Sequence, residues 1–421
     1  MPGTTYIIGS GIAGLSAAVN CLPNNNKIRL LEATKNAGGR CRSFNDQLLN
    51  RTINNGTHLI LSGNMGIKKY LRIIGADQTF QTIKPASFKF IDIKSGIKWE
   101  IKPSASKIPW WIFKQKTRIP DTNLMDYLSI IRFKFAGNKT IADLVNTSRP
   151  IFDRLWQPLS RAVLNTDAFE GSASSIWIMI SKTLLKGQEF CYPLIPLKGL
   201  SSSLVEPALK HLEKNNVFAE YSKRLTAITS EAGLITSITI NKNQIKLNKD
   251  DLIILTIPPK QVSTLLPDIS VPTQSNTIVN IHYRIDDRPL LPTSGNFIGL
   301  IGGITDWIFK KDDIYSVTIS SANSISDLSN NDISKIIWNE IAQILNKDVR
   351  NIPPNRVIRE YNATINQNAE ENDKRPDSQT NFKNLILAGD WTRTGLPVTI
   401  ESAVISGQKA AQLVKNIEIL K

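Results

Sequence analysis

The residues that most restrict how this chain can fold lie at its two ends. Near the start, Tyr6-Ile7-Ile8 runs straight into Gly9-Ser10-Gly11-Ile12-Ala13-Gly14. Thr4 to Ile8 is an apolar run of strand type, and Ala13 to Leu22 reads as a helix ended by Pro23 and three asparagines. Lys27 to Leu31 is a second strand, closed by Glu32. In such a unit Gly9 makes the tight turn, Gly11 lets the backbone approach a diphosphate, and Gly14 lets helix pack on strand. Ser10 and Ala13 share that loop, whose free N–H groups at the helix start favour an anion. Glu32 follows at the spacing of a carboxylate that binds a ribose hydroxyl pair, which argues against a 2′-phosphate and so against NADP.

Gly38-Gly39-Arg40, just past the second strand, suggests a loop folding back over the diphosphate, with Gly39 close to it and Arg40 supplying charge in a fork geometry. NAD dehydrogenases have no need of this second clamp, so the cofactor expected is FAD. Near the other end, Leu385-Ile386-Leu387 is a strand leading into Ala388-Gly389-Asp390, and Thr399 to Asn416 has helical apolar spacing. The start of that helix, with Val398 and Thr399, would aim unpaired N–H groups at the negative charge a reduced flavin carries near its pyrimidine ring. Asp390 would reach the ribityl chain or the diphosphate. Gly56, Leu225 and Gly389 complete the expected cofactor-binding set.

The 421 residues are enough for a large core and two domains. The formal net charge of +15 fits an anionic membrane, an acidic partner or a solvated lysine-rich surface. No helix-turn-helix, zinc-finger or RNA-binding signature is present, so nucleic acid is not an expected partner. Cys21, Cys41 and Cys191 are too few and too scattered for a disulfide framework or a zinc site, and suit a reducing cytoplasm. His58, His211 and His282 lie far apart and give no metal cluster. There is no apolar run long enough to span a bilayer, and the first strand leaves no room for a signal peptide.

The nucleotide-binding domain reads as discontinuous: residues 1–65, 190–265 and 380–421. Within its middle part, Gly199 to Lys214 reads as a helix, and Ala219 to Ile228, Leu234 to Ile240 and Leu252 to Ile257 as strands. Residues 66–189 and 266–379 are left to build a substrate domain. The fold class is α/β, with a Rossmann-like domain and an interleaved α+β domain, and a ligand held between them.

These motifs resemble the amine oxidase and phytoene desaturase superfamily of FAD enzymes, whose nucleotide domain is of the GR2 type. Within it the chain is most similar to the hydroxysqualene dehydroxylases of bacterial hopanoid synthesis, along nearly its whole length. Asn54-Asn55-Gly56-Thr57-His58-Leu59 resembles that family's D-N-G-Q-H-L, with Asn54 in place of Asp and Thr57 in place of Gln. Trp156-Gln157-Pro158-Leu159 to Leu164-Asn165-Thr166 resembles its mid-chain segment, and Asp306-Trp307-Ile308-Phe309 a W-x-F element. Ala388-Gly389-Asp390-Trp391-Thr392, Thr394 to Pro397 and Thr399-Ile400-Glu401 resemble its C-terminal signature, with Ser402 in place of Gly.

The resemblance implies reduction of hydroxysqualene to squalene: an allylic alcohol loses its protonated hydroxyl, and reduced FAD delivers hydride to the cation. Such a site needs apolar walls, a proton source and little water. His58 is the implied proton donor or substrate-orienting group, against the alternative of a histidine bonded in the core. The competing functions are a carotenoid-type desaturase, an amine oxidase of the same superfamily, or a flavin-fold escort for a prenylated lipid or a protein. The partners implied are an isoprenoid lipid and an electron donor that no motif identifies. Trp110 and Trp111, set among lysines, read either as a peripheral membrane contact on the cytoplasmic face or as core packing.

Overall fold

The computed structural model describes residues 3–24, 26–293 and 295–419. Strand β1 (Thr4–Ile8), helix α1 (Ile12–Cys21) and strand β2 (Lys27–Leu31) fall where the apolar runs place them. They join β3 (Ala219–Glu220), β4 (Leu252–Leu255) and β5 (Leu385–Leu387) in one parallel sheet of order β3-β2-β1-β4-β5. Residues almost 400 apart in sequence are therefore neighbours in space. The apolar runs of β1, β4 and β5 are buried on both faces, as a parallel sheet requires.

Helices α2 (Glu206–Glu213) and α3 (Ile400–Ile419) pack with α1 on one face of the sheet. The α1–α3 crossing is very close. A Cβ on Gly407 would lie 2.4 Å from the carbonyl oxygen of Ala13, and Ser16 Oγ donates to the carbonyl of Val404 at 2.8 Å. The small residues of α1 thus serve the helix contact as well as the glycine turn.

Two expected elements differ. The helix Gly199–Lys214 begins instead as a π-type turn, Ser201–Val205, before α2. Pro207 in the first turn of α2 lacks an N–H, so the i→i−4 ladder cannot run through it. Pro158 produces the same pattern after Phe152–Trp156. The strand Ala219–Ile228 is broken at Ser222, whose φ is +55°, so β3 stays in the parallel sheet while Leu225–Glu231 enters an antiparallel three-stranded sheet with Leu234–Ile240 and Asn243–Lys246. Helix Met65–Ile73 buries Ile67, Tyr70 and Leu71 in the same core as α1 and α3.

A second sheet of seven strands, mostly antiparallel, has the order Asn355–Ile365, Ser275–Arg284, Ile314–Ile319, Trp307–Lys311, Phe297–Ile301, Phe88–Asp92, Lys98–Ile101. Helix Asn330–Ile344 buries Ile333, Ile337, Trp338 and Ile341 against one set of its side chains. Helical residues between 124 and 182 pack on Phe90, Trp99 and Trp307.

Candidate active site

Gly9 takes φ +107°, a left-handed value that favours glycine, and turns the chain out of β1. Gly14 is held to glycine by packing, because a Cβ there would lie 1.9 Å from the carbonyl oxygen of Gly9. Thr256, at the end of β4, completes this arrangement: its hydroxyl lies 2.8 Å from the Ile8 carbonyl and 2.9 Å from that of Gly9. Sequence reading missed Thr256, which lies beyond any local motif.

Gly11 differs from both. Its φ of −67° and ψ of 178° suit any residue, yet a Cβ would meet no atom within 4 Å. The space above it is open, and no side chain caps the first turn of α1, where Ala13 lies. Open backbone at an uncapped helix start is what a diphosphate requires. Gly39 closes on this loop: the Gly38 N–H donates to the Ser10 carbonyl at 2.9 Å, and a Cβ on Gly39 would lie 3.4 Å from Gly11 Cα.

Glu32 is buried. Its Oε2 accepts from Ser10 N–H at 2.9 Å and Ser10 Oγ at 2.7 Å, and its Oε1 accepts from Thr34 N–H and Oγ1, each at 2.8 Å. Burial would raise its pKa, but these four donors outweigh burial and hold the carboxyl below its usual range. The anion is thus fixed beside the glycine loop, and a ribose hydroxyl would bind it by sharing or replacing one of these donors.

Arg40 joins the two ends of the chain. Its guanidinium bonds Asp390 Oδ1 at 2.7 Å and also the Ala363 carbonyl. Expected to compensate a diphosphate, Arg40 pairs here with a carboxylate; Asp390 is correspondingly engaged. The loop carrying Gly389 and Asp390 is wired by Arg375, whose buried guanidinium donates to the carbonyls of Asp390, Thr392 and Leu396 at 2.7–3.0 Å. Burial pushes the pKa of Arg375 down to about 10. Val398 N–H donates to Gln367 Oε1 at 2.8 Å, and Thr399 Oγ1 accepts from Ser402 N–H at 3.3 Å as the cap of α3. Glu401 accepts from the N–H groups of Gly66 and Ile67 at 2.7 and 2.8 Å, and so caps helix Met65–Ile73. Leu225 opens its strand and packs on the cluster containing Tyr6, Ile8 and Leu31.

His58 lies near Gly56, where a Cβ would sit 3.6 Å from His58 Nε2 and 3.3 Å from Asn280 Nδ2. It lines a cavity of about 400 Å³ together with Thr57, Leu197, His282, Phe309 and Ile314. Burial, aided by the charge of Arg40, pushes the His58 pKa down to about 4. The imidazole is neutral at pH 7 and presents one N–H donor and one acceptor. Thr57 Oγ1 is buried without a partner. The orphaned Thr57 hydroxyl fits a polar group of a ligand in this cavity, as the open backbone and uncapped helix at Gly11 fit an anionic one. Asn54, where the resemblance expects Asp, is structural: its Oδ1 accepts from Ser43 Oγ and Leu200 N–H at 2.7 and 3.0 Å.

The remaining motif segments hold the scaffold together. Arg161, in the mid-chain segment, bonds Asp306 of the W-x-F element at 2.6 Å. Gln367 Nε2 donates to the Leu164 carbonyl at 2.7 Å while its Oε1 receives Val398 N–H, which ties that segment to the start of α3.

The family described as flavin containing amine oxidoreductase matches residues 12–415. Curated relatives named hydroxysqualene dehydroxylase are 38% identical: one from Sinorhizobium fredii over 98% of both chains, and one from Zymomonas mobilis subsp. mobilis over 97% of this chain and 98% of its own. Among solved structures, cyclohexylamine oxidase from Brevibacterium oxydans aligns over all of both chains with a TM-score of 0.69 at 13% identity. An oxidoreductase from Methanosarcina mazei aligns over 97% of this chain and 100% of its own, with a TM-score of 0.73 at 13% identity. Parallel sheet, glycine loop and C-terminal helix thus sit in an established architecture, and the chain belongs to the flavin containing amine oxidoreductase family.

Proposed function

We propose that this protein uses FAD to reduce hydroxysqualene to squalene. The observation that carries this reading is the 38% identity, over nearly full length, to relatives of that name. Gly9, Gly11, Gly14 and Gly39 would admit the diphosphate, with Ser10 and Ala13 in the same loop. Glu32 would take the ribose hydroxyls, and Arg40 and Asp390 would lie along the chain that leads to the ring. Gly56, Gly389, Val398 and Thr399 would border the ring system, and Leu225 would close the nucleotide side. When bound and reduced, FAD supplies the hydride.

The chain's own residues have three tasks. The 400 Å³ cavity is lined in part by charged residues, Arg51, Lys311 and Asp313 among them, so its apolar side chains, Phe309 and Ile314, would have to shield an allylic cation from water. Neutral His58 orients the departing hydroxyl through an N–H; burial holds its pKa near 4, so orientation is favoured over proton donation, and the proton with which the hydroxyl leaves as water would be taken up from solution. Arg40 keeps positive charge between the two halves of the site. The division into a nucleotide domain (1–65, 190–265, 380–421) and a substrate domain (66–189, 266–379) is part of this reading, with Met65–Ile73 transferred to the former.

An isoprenoid substrate resides in membranes. Trp110 is 55% exposed and lies tilted against Phe113, ring centres 5.7 Å apart, which supports a peripheral contact there. Trp111 instead packs edge-on against buried Tyr127 at 5.4 Å, so only one of the two tryptophans is available. Among the described residues no helix is long and apolar enough to cross a membrane.

The test is a product survey. The FAD-loaded enzyme, photoreduced without oxygen, is offered hydroxysqualene; the oxidised enzyme is offered phytoene and simple amines. Squalene from the first and no product from the others is expected. Desaturated phytoene or an aldehyde would transfer the assignment to a desaturase or an amine oxidase.

A further inference from the structure

Among the described residues, seven of the nineteen exposed large apolar side chains lie between Ile108 and Phe135. Helical segments Leu124–Leu128 and Ile130–Phe133 follow one another, and Ser129 between them is also helical in φ and ψ. Their inner side buries Tyr127 and Phe133. Their outer side carries Met125, Leu128 and Ile131, with Phe135 just beyond, at helical spacing and 44–76% exposed. A helix that is apolar on both faces, in a water-soluble setting, has an unfilled interface.

This face adjoins the Trp110 segment. The contact of Trp111 with Tyr127 joins them, and Ile119 N–H donates to the Tyr127 hydroxyl at 3.1 Å. Ile108, Trp110 and Phe113, each about half exposed, extend the same surface. Exposed Lys107, Lys114, Lys116, Arg132 and Lys134 surround it, and among the described residues none forms an ion pair. The nearby acids are engaged instead: Asp126 with Arg149 and Asp121 with Arg154.

We infer that the helical face Met125–Phe135 inserts into an anionic lipid bilayer and forms, with Trp110 and Phe113, a monotopic anchor. Apolar tips would enter the acyl boundary while the ring of cations meets anionic headgroups. A second copy of the chain is a poor occupant, because a twofold contact would bring two sets of unpaired cations together. The inference deepens the membrane contact proposed above, but its test involves no turnover.

Flotation with vesicles of phosphatidylcholine alone, or of phosphatidylcholine with phosphatidylglycerol, measures it. Wild-type FAD-loaded protein should float with the anionic vesicles and less so in high salt. The variant Met125→Ser, Ile131→Ser, Phe135→Ser should partition about tenfold less, with an unchanged melting curve because the three side chains are exposed. A second readout does not depend on that variant. The native cysteines are buried, so Phe135→Cys can be labelled alone with an environment-sensitive dye, whose emission should shift to the blue on adding anionic vesicles. Equal flotation of wild type and triple variant, or no dye shift, would overturn the inference. A lipid-free dimer that the triple variant abolishes would assign the face to self-association and overturn it too. Squalene formation without flotation would sink the anchor and spare the function; flotation without squalene would do the reverse.

Discussion

Replacing Gly11 by alanine separates cofactor binding from folding. The backbone at Gly11 is ordinary for an alanine, at φ −67° and ψ 178°, and the added Cβ meets no protein atom within 4 Å. The apoprotein should lose no more than about 1 kcal/mol, because alanine is a poorer helix N-cap than glycine. The methyl group does, however, enter the open space that the diphosphate needs. Pushing the phosphate off one N–H donor forfeits a charge-assisted hydrogen bond of about 1.5–3 kcal/mol. At 1.4 kcal/mol per factor of ten, FAD should bind roughly 10- to 100-fold more weakly. Gly14→Ala is the control, since its Cβ would lie 1.9 Å from a carbonyl oxygen that cannot move, and the fold itself should suffer. Calorimetric titration of apoprotein with FAD reports the affinity; circular-dichroism melting of the apoproteins reports the fold. An unchanged FAD affinity in Gly11→Ala, or an apoprotein as destabilised as Gly14→Ala, would refute the assignment of the loop.

His58→Ala should slow squalene formation while FAD remains bound, and His58→Gln should recover part of the rate by restoring an N–H donor; equal rates in all three proteins would remove His58 from the site. Arg161→Met leaves Asp306 buried and unpaired, a change that costs about 3–5 kcal/mol, so urea unfolding should show a large loss, and a loss under 1 kcal/mol would mean the pair is solvated. His282, fully bonded to Ser316 Oγ and the Asn54 carbonyl, has its pKa pushed by burial from 6.5 to about 4. The unfolded chain therefore takes up a proton that the folded chain refuses, and stability present above pH 6.5 is lost as pH falls toward 4. The loss should be of the order of 3 kcal/mol, and His282→Gln should flatten the pH dependence of unfolding relative to wild type. Parallel pH profiles for the two proteins would contradict the neutral, bonded state of His282.

The parts legible in the sequence are those whose causes are local. Gly9 needs a left-handed turn, Thr4–Ile8 alternates with nothing and must be buried, and Glu32 closes a strand a fixed distance on; each signal lies within a few residues of its effect. Thr256, Arg375, Gln367 and Glu401 were not legible. Their partners, at Gly9, Leu396, Leu164 and Gly66, lie 21 to more than 300 residues away, and a lone threonine or glutamate carries no mark of such a contact. Arg40 illustrates the middle case. Its loop was placed correctly beside Gly11, but its pairing with Asp390 depends on how the two chain ends meet. The helical pattern of Met65–Ile73 says nothing about which core it joins. The apolar outer face of Leu124–Phe133 was invisible for the same reason, since periodicity cannot tell a buried stripe from an exposed one.

The central claim is that a flavin held between the two ends of this chain gives its hydride to hydroxysqualene. Anaerobic single-turnover mixing of the photoreduced, FAD-loaded protein with hydroxysqualene tests it most directly, following visible flavin absorbance and squalene together. Reoxidation of the flavin at the same rate as squalene appears, one for one, is the predicted result. Squalene formed while the flavin stays reduced, or a flavin that stays reduced with the alcohol intact, would contradict it.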